Sequence, residues 1–263
     1  MKELRTSGII CVDDNYGFTY QVCRIEYVLF EDETFRYIFT PFYNIIEFTP
    51  PEIFQGIPGL NLDVRKSEYV RENRTPVFIS ERTPSTNRED LWELLDDVGL
   101  EYLNPLEWLI RTPLQYSGDS LYVVRNPHDG SKQMIHCDSI DELGNRNQTI
   151  IRKLLEVICS NADFVSKELT INDQNRKYLY EVLMPLFVKS AKYQRERQKL
   201  GIGHAREKFT GRKPISIDAP KLVEIMTDYL NGKISVQQAC LVLHVSEATF
   251  YRRLRAFRKN QVS

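Results

Sequence analysis

Residues 1–74 alternate β-branched and aromatic positions with polar ones in short runs. "GIICV", "YQVCRIEYVLF" and "FRYIFTPF" read as strands, with "DDNYG" and "EDET" as the turns between them. This predicts a β-rich N-terminal domain over residues 1–74, interrupted by Pro50-Pro51 and "GIPG". From Thr75 the period changes. "PVFIS" reads as a short buried strand. "NREDLWELLDDVG" reads as a helix, with Leu91, Leu94, Leu95 and Val98 on one face and Gly99 as its stop. The proline-bounded "LNPLEWLIRTPL" is a shorter helix, "DSLYVVR" a strand, "QTIIRKLLEVICSNA" a helix and "DFVSKEL" a further short run. Strands alternating with helices predict an α/β middle domain, residues 75–175, with a largely parallel sheet.

Residues 176–208, "RKYLYEVLMPLFVKSAKYQRERQKLGIGHAREK", read as one long helical stretch, apolar at its start and basic beyond Lys189. Pro185 predicts a kink or a break. Leu179, Val182, Leu183, Leu186 and Phe187 form an apolar stripe that must be covered, either by the chain's own domain or by the same helix of a second subunit. The second is the favoured expectation, a homodimer. Residues 209–263 begin with an extended arm, "FTGRKPISIDAP", and continue as three helical segments. "APKLVEIMTDYLNG" places Leu222, Ile225, Met226 and Leu230 on one face and stops at Gly232. "SVQQACLVLH" opens with a capping box, Ser235 and Gln238, and carries the small Cys240 where two helices would cross. The third segment, "EATFYRRLRAFRK", follows Ser246 as N-cap. Two helices joined by a three-residue turn, with a third before them, make a helix-turn-helix. Ser246, Glu247, Thr249 and Tyr251 are then placed to meet base edges or phosphates, and Arg252 and Arg253 to neutralise phosphate. Val245, Phe250 and Leu254 belong to the small core.

Charge sharpens this division. The 263 residues carry a net −1, yet residues 181–263 hold 16 Lys and Arg against 7 Asp and Glu, a net +9, leaving −10 on the remainder. A basic C-terminal third on an acidic body fits contact with a polyanion, here double-stranded DNA, although basic helices that are merely solvated give the same count. No apolar run reaches the length of a membrane span, and acids interrupt the N-terminus before any signal-peptide core forms. No membrane partner is expected; the expected location is the bacterial cytoplasm, at the nucleoid. The five cysteines are scattered without a CxxC pair and read as free thiols of a reducing compartment. "HCD" at residues 136–138 is a lone metal-like seed without a second cluster, so neither metal nor cofactor is expected.

"ERQKLGIGHAREKFTGRKP", followed by the helix-turn-helix, resembles the C-terminal third of the resolvase/invertase (serine recombinase) family over residues 178–257. There a long helix with an E-R-x-x-x-G stretch leads to a G-R-x-x arm and a small DNA-binding domain. The resemblance implies that Gly211, Arg212 and Lys213 lie in a minor groove, where the arms of this family's members bind. His244 departs from the Gly that the family often has in the turn. Upstream, "GDSLYVV" is similar to the family's G-D-x-L-x-V strand, and "NQTIIRKLLEVICSNADFVSKEL" to the helix and strand after it. "VFISERTPSTNREDLWELLDDVG" stands where the first strand, active-site loop and helix would be.

The family's chemistry, phosphoryl transfer by a Ser nucleophile among arginines that stabilise the pentavalent phosphate, does not carry over. Where its strand runs on into L-D-R-L-x-R, this chain places Pro127, His128 and Ser131 at the Asp and two Arg positions. The family's Glu-Arg pair on the long helix falls on Ser190 and Ala191, and only Arg82 and Ser85 remain of its R-V-S-T loop, one residue too far apart. The resulting expectation is a multidomain α+β and α/β protein: a β-rich N-terminal segment, a recombinase-like α/β middle domain, a long helix over 176–208 and a C-terminal helix-turn-helix. Its expected role is that of a dimeric, sequence-specific DNA-binding regulator of transcription on an inactive recombinase-like scaffold. The alternatives are an active recombinase with a displaced site (Ser85 as nucleophile, with Arg82, Arg88 and Arg125), or the DNA-binding subunit of a transposition system.

Overall fold

The computed structural model describes residues 3–112, 118–127, 132–208 and 219–261. The chain divides into two compact units, Met1–Arg197 and Gln198–Ser263.

The N-terminal unit is mixed α+β. Its main sheet comprises β1 (Leu4–Asp13), β2 (Thr19–Leu29), β3 (Phe35–Pro41), β4 (Tyr69–Glu72) and β5 (Tyr122–Arg125), in the order β4-β3-β2-β1-β5. Every neighbouring pair is antiparallel. The turns follow from their side chains. Asp14 accepts hydrogen bonds from the Tyr16 and Phe18 N–H groups at 2.8 and 2.9 Å, and Gly17 supplies the φ of 78°. In the next turn Asp32 accepts from the Thr34 N–H and hydroxyl at 3.1 and 2.6 Å.

A second, three-stranded sheet pairs β6 (Met134–His136) parallel to β7 (Asp163–Val165) and β7 antiparallel to β8 (Thr170–Ile171). Around the sheets lie α1 (Tyr43–Ile46), α2 (Val77–Ser80), α3 (Leu91–Asp97), α4 (Pro105–Arg111), α5 (Asn147–Cys159) and the start of α6 (Arg176–Lys208).

Three expectations change here. The boundary between residues 74 and 75 does not separate two domains. Ile10, Tyr20 and Phe39 share one buried cluster with Phe78, Leu106, Leu155 and Phe164, and β5 pairs with β1 from Gly8↔Arg125 to Cys11↔Tyr122. Gly8 is what lets the two strands approach, since a Cβ there would lie 2.7 Å from Val123 Cγ1. The largely parallel sheet is likewise not found: β6–β7 is the one parallel pair among the described residues. Finally, "PVFIS" is not a strand. Pro76 sits at the N-cap of α2, and Phe78 and Ile79 are buried from a helical turn, because so short an apolar run fits either state.

Pro185 lies inside α6 without breaking it into two helices. The apolar stripe on this helix divides. Leu179, Leu183 and Phe187 pack on the unit's own core with Tyr180 and Met184, while Val182 and Leu186 are exposed. At 3.6 residues per turn the five span an arc of about 140°, and Val182 and Leu186 share the edge of it that the core leaves open. Phe187 meets Phe18 edge-on with centroids 5.1 Å apart, and the Tyr180 hydroxyl lies 2.6 Å from that of Tyr20.

At the head of α6, Arg176 has 0% exposure. Its guanidinium donates to the carbonyls of Val157, Ile158, Ser160 and Ala162 at 2.6–3.0 Å and to Asp163 at 3.3 Å, so a cation closes the C-terminal end of α5.

The C-terminal unit holds α7 (Ala219–Leu230), α8 (Val236–Leu243) and α9 (Glu247–Gln261) around a core of Met226, Ala239, Leu243, Phe250 and Leu254. Leu222 and Ile225 pack on that core as expected, but Leu230 is exposed. Among the described residues no helix is long and apolar enough to cross a membrane.

Candidate nucleic-acid interface

The C-terminal unit is built from matched helix ends. After α7 the Gly232 N–H donates to Tyr229 O at 3.0 Å and the Lys233 N–H to Asp228 O at 2.9 Å, with Gly232 at φ 72°. This is a Schellman stop. The capping box at the start of α8 is present in both directions: Gln238 N–H to Ser235 Oγ at 3.3 Å, and Ser235 N–H to Gln238 Oε1 at 2.9 Å. The end of α8 repeats the Schellman pattern, His244 N–H to Leu241 O at 3.3 Å and Val245 N–H to Cys240 O at 3.1 Å. His244 takes the left-handed conformation, φ 50° and ψ 45°. The turn therefore keeps the backbone form that favours Gly, and a side chain bears its steric cost. The fully buried small residue of α8 is Ala239, with Cys240 half-buried beside it.

On α9 the apolar residues fix which way the helix faces. Phe250 and Leu254 are buried, and Tyr229 meets Phe250 edge-on at 5.1 Å. Helical periodicity then turns Glu247, Ala248, Tyr251, Arg252, Arg255 and Arg258 outward, and all six are exposed. Thr249 and Arg253 are half-buried instead. Thr249 is also engaged locally, its hydroxyl lying 3.1 Å from that of Ser246 at the helix start. A hydrogen bond with Tyr229 raises the Tyr251 phenol above its ordinary pKa, and the nearby Glu247 charge adds to the rise.

Arg255 and Arg258 were absent from the candidate set read from the sequence. The signal for them was available, because they recur at three- and four-residue steps from Arg252 and Tyr251. Gly211, Arg212 and Lys213 of the arm lie outside the described residues.

The residues of the alternative catalytic site are engaged elsewhere. The Arg82 side chain is 4% exposed; it stacks on the Phe78 ring at 4.3 Å, donates to Phe78 O at 2.9 Å and pairs with Asp119. Arg88 pairs with Asp90 at 3.0 Å, and Arg125 pairs with Glu107. Each of the three guanidiniums is thus already met by a carboxylate, where stabilising a phosphorane needs cations left open to it. Ser85 is exposed and its Oγ accepts from the Asn87 N–H at 3.3 Å. His128 and Ser131 lie outside the described residues, and Ser190 and Ala191 are on α6.

The five cysteines are free thiols. Cys11, Cys23 and Cys159 are buried, and burial pushes all three thiol pKa values up, that of Cys11 to about 12. Among the described residues no three His, Cys, Asp or Glu side chains are grouped to hold a metal, the "HCD" segment included.

The C-terminal unit is three helices, with α8 and α9 joined by the short turn at His244, and the outward face of α9 carries arginines, one tyrosine and one carboxylate. No protein-family model and no curated protein matches the chain.

Proposed function

We propose that this protein is a sequence-specific, double-stranded-DNA-binding protein: a dimeric regulator of transcription whose recombinase-like features do not include the chemistry. The observation that carries the reading is the outward face of α9. Arg252, Arg255 and Arg258 stand exposed along a helix whose opposite side is locked into the core by Phe250 and Leu254. A rigid helix presenting cations and an exposed tyrosine suits insertion into the major groove, with the arginines meeting the flanking phosphates. The arm residues Gly211, Arg212 and Lys213 would extend the contact into the neighbouring minor groove, as the resemblance implies.

Dimerisation is assigned to α6, now on the part of its surface that its own core leaves open. Tyr178, Val182 and Leu186 are exposed at four-residue steps, and covering the exposed part of the half-covered Val182 and Leu186 against a second copy is worth roughly 1 kcal/mol each. A two-fold protein would bind inverted half-sites.

The direct test measures full-length protein on duplex DNA across a salt series. The expected result is an affinity that falls linearly in log–log form, with a slope reduced by roughly one for each exposed arginine changed to Ala. Binding that is absent, or insensitive to salt, would remove the reading. The recombinase alternative is tested separately on supercoiled DNA carrying the bound site, quenched with denaturant. Nicking, or a covalent protein–DNA band that vanishes in Ser85→Ala, would replace regulation by catalysis. Neither is expected, because the arginines that such a reaction needs are paired with Asp119, Asp90 and Glu107.

A further inference from the structure

We infer that Glu247 is a base-reading residue, and that it selects cytosine by accepting a hydrogen bond from its N4 amino group. The inference rests on the DNA-binding reading above and adds the identity of one base. Glu247 is exposed in the first turn of α9, on the same outward face as Tyr251, Arg252 and Arg255. That first turn is the part of a recognition helix that reaches the base edges.

Among the described residues its carboxylate forms no ion pair or hydrogen bond. Its charge adds to the rise in the pKa values of Cys240 and Tyr251 nearby. The helix dipole favours an acid at this position. Even so, an uncompensated carboxylate on a surface that approaches phosphates opposes binding unless a donor on the DNA meets it.

The major groove offers two kinds of amino donor, on cytosine and on adenine. A carboxylate has acceptors only, and adenine sets the N7 acceptor beside its amino group, whereas cytosine presents the amino group without such a neighbour on the same base. Glu247 therefore matches cytosine. Ala248, exposed beside it, is small enough to let the helix backbone come close to the groove floor. Thr249, the other candidate reader, is half-buried and faces Ser246 at 3.1 Å, which leaves the reading of this position to Glu247.

The test selects bound sites from randomised duplex DNA with the full-length protein and with Glu247→Gln, then measures affinities for the selected site and its single-base variants. Wild type is expected to fix a cytosine at one position of each half-site and to prefer it over the other bases by roughly 5- to 150-fold. In Glu247→Gln that position should change to adenine, whose N6 and N7 a side-chain amide matches. Glu247→Asp, which keeps the acceptors on a shorter stem, should retain cytosine with weaker discrimination. The same base at the same strength in wild type and Glu247→Gln would overturn the inference, and so would loss of all binding in Glu247→Gln without any change of consensus to read. If wild type itself bound no DNA, the failure would belong to the DNA-binding reading, and the two results are told apart by wild type alone.

Discussion

Replacing Arg176 by Met tests whether one buried cation holds α5, β7 and α6 together. Met fills a similar length with an apolar stem but brings no donor. Val157 O keeps partners after the change, because Ser160 N–H and Oγ donate to it at 3.2 and 2.9 Å. The carbonyls of Ile158, Ser160 and Ala162 lose the guanidinium. At about 1–3 kcal/mol for each unsatisfied acceptor, the three together give roughly 3–9 kcal/mol. The lower part of that range applies. Asp163 still pairs with Lys132 at 2.7 Å, so no buried carboxylate is orphaned, and the expected loss is about 3–5 kcal/mol. That is a large share of the roughly 5–15 kcal/mol by which domains are stable, and for a unit of this size it lowers the melting temperature by roughly 6–20 °C. Arg176→Lys keeps the charge without the planar fork and should fall between the two. Urea and thermal unfolding of the full chain, followed by circular dichroism and tryptophan fluorescence, measure the difference. A melting temperature within 2 °C of wild type in Arg176→Met, about the effect of 1 kcal/mol or less, would refute the argument.

Gly8→Ala should destabilise the N-terminal unit by about 1–3 kcal/mol, because the added Cβ meets Val123 Cγ1 at 2.7 Å and the β1–β5 pair must open; equilibrium unfolding reads the loss. His244→Gly should stabilise the C-terminal unit by up to about 1 kcal/mol, since Gly takes φ 50° without the steric cost that a Cβ incurs, and a higher melting transition is the expected observation. A thiol reagent at pH 8 should modify the half-exposed Cys137 and Cys240 in the native protein and reach Cys11, Cys23 and Cys159 only after denaturation. The same three buried thiols set the sign of an alkaline effect. Their folded pKa values are raised, so their contribution is fully present below the ordinary thiol range. It is lost as pH rises from about 9 through the folded values, about 12 for Cys11, at up to about 1.4 kcal/mol per pH unit for each thiol. Denaturation midpoints that stay flat from pH 8 to pH 11 would contradict that sign.

Local order was legible in the chain itself. The Asp14–Gly17 turn, the capping box at Ser235, the stop at Gly232 and the inward Phe250 and Leu254 all depend on residues within a few positions of one another, and the sequence spells them out. The division of α9 into a core side and a basic side is equally local, since helical spacing alone orders it. Tertiary structure decided what depended on distant partners. "LYVVR" has the composition of a strand wherever it goes; that it closes the edge of the N-terminal sheet as β5 is set by Gly8, more than a hundred residues away, which leaves room for it. "PVFIS" is too short for its period to discriminate, and burial of Phe78 and Ile79 from a turn satisfied it as well as a strand would. On α6 the sequence marked Leu179, Val182, Leu183, Leu186 and Phe187 as one set, but only the core against which they pack could separate Leu179, Leu183 and Phe187 from the two left outside. Arg176 is the strongest case. An arginine beside a lysine at a helix start reads as solvated, and only the convergence of the carbonyls at the end of α5 in three dimensions supplies the acceptors that a buried guanidinium requires.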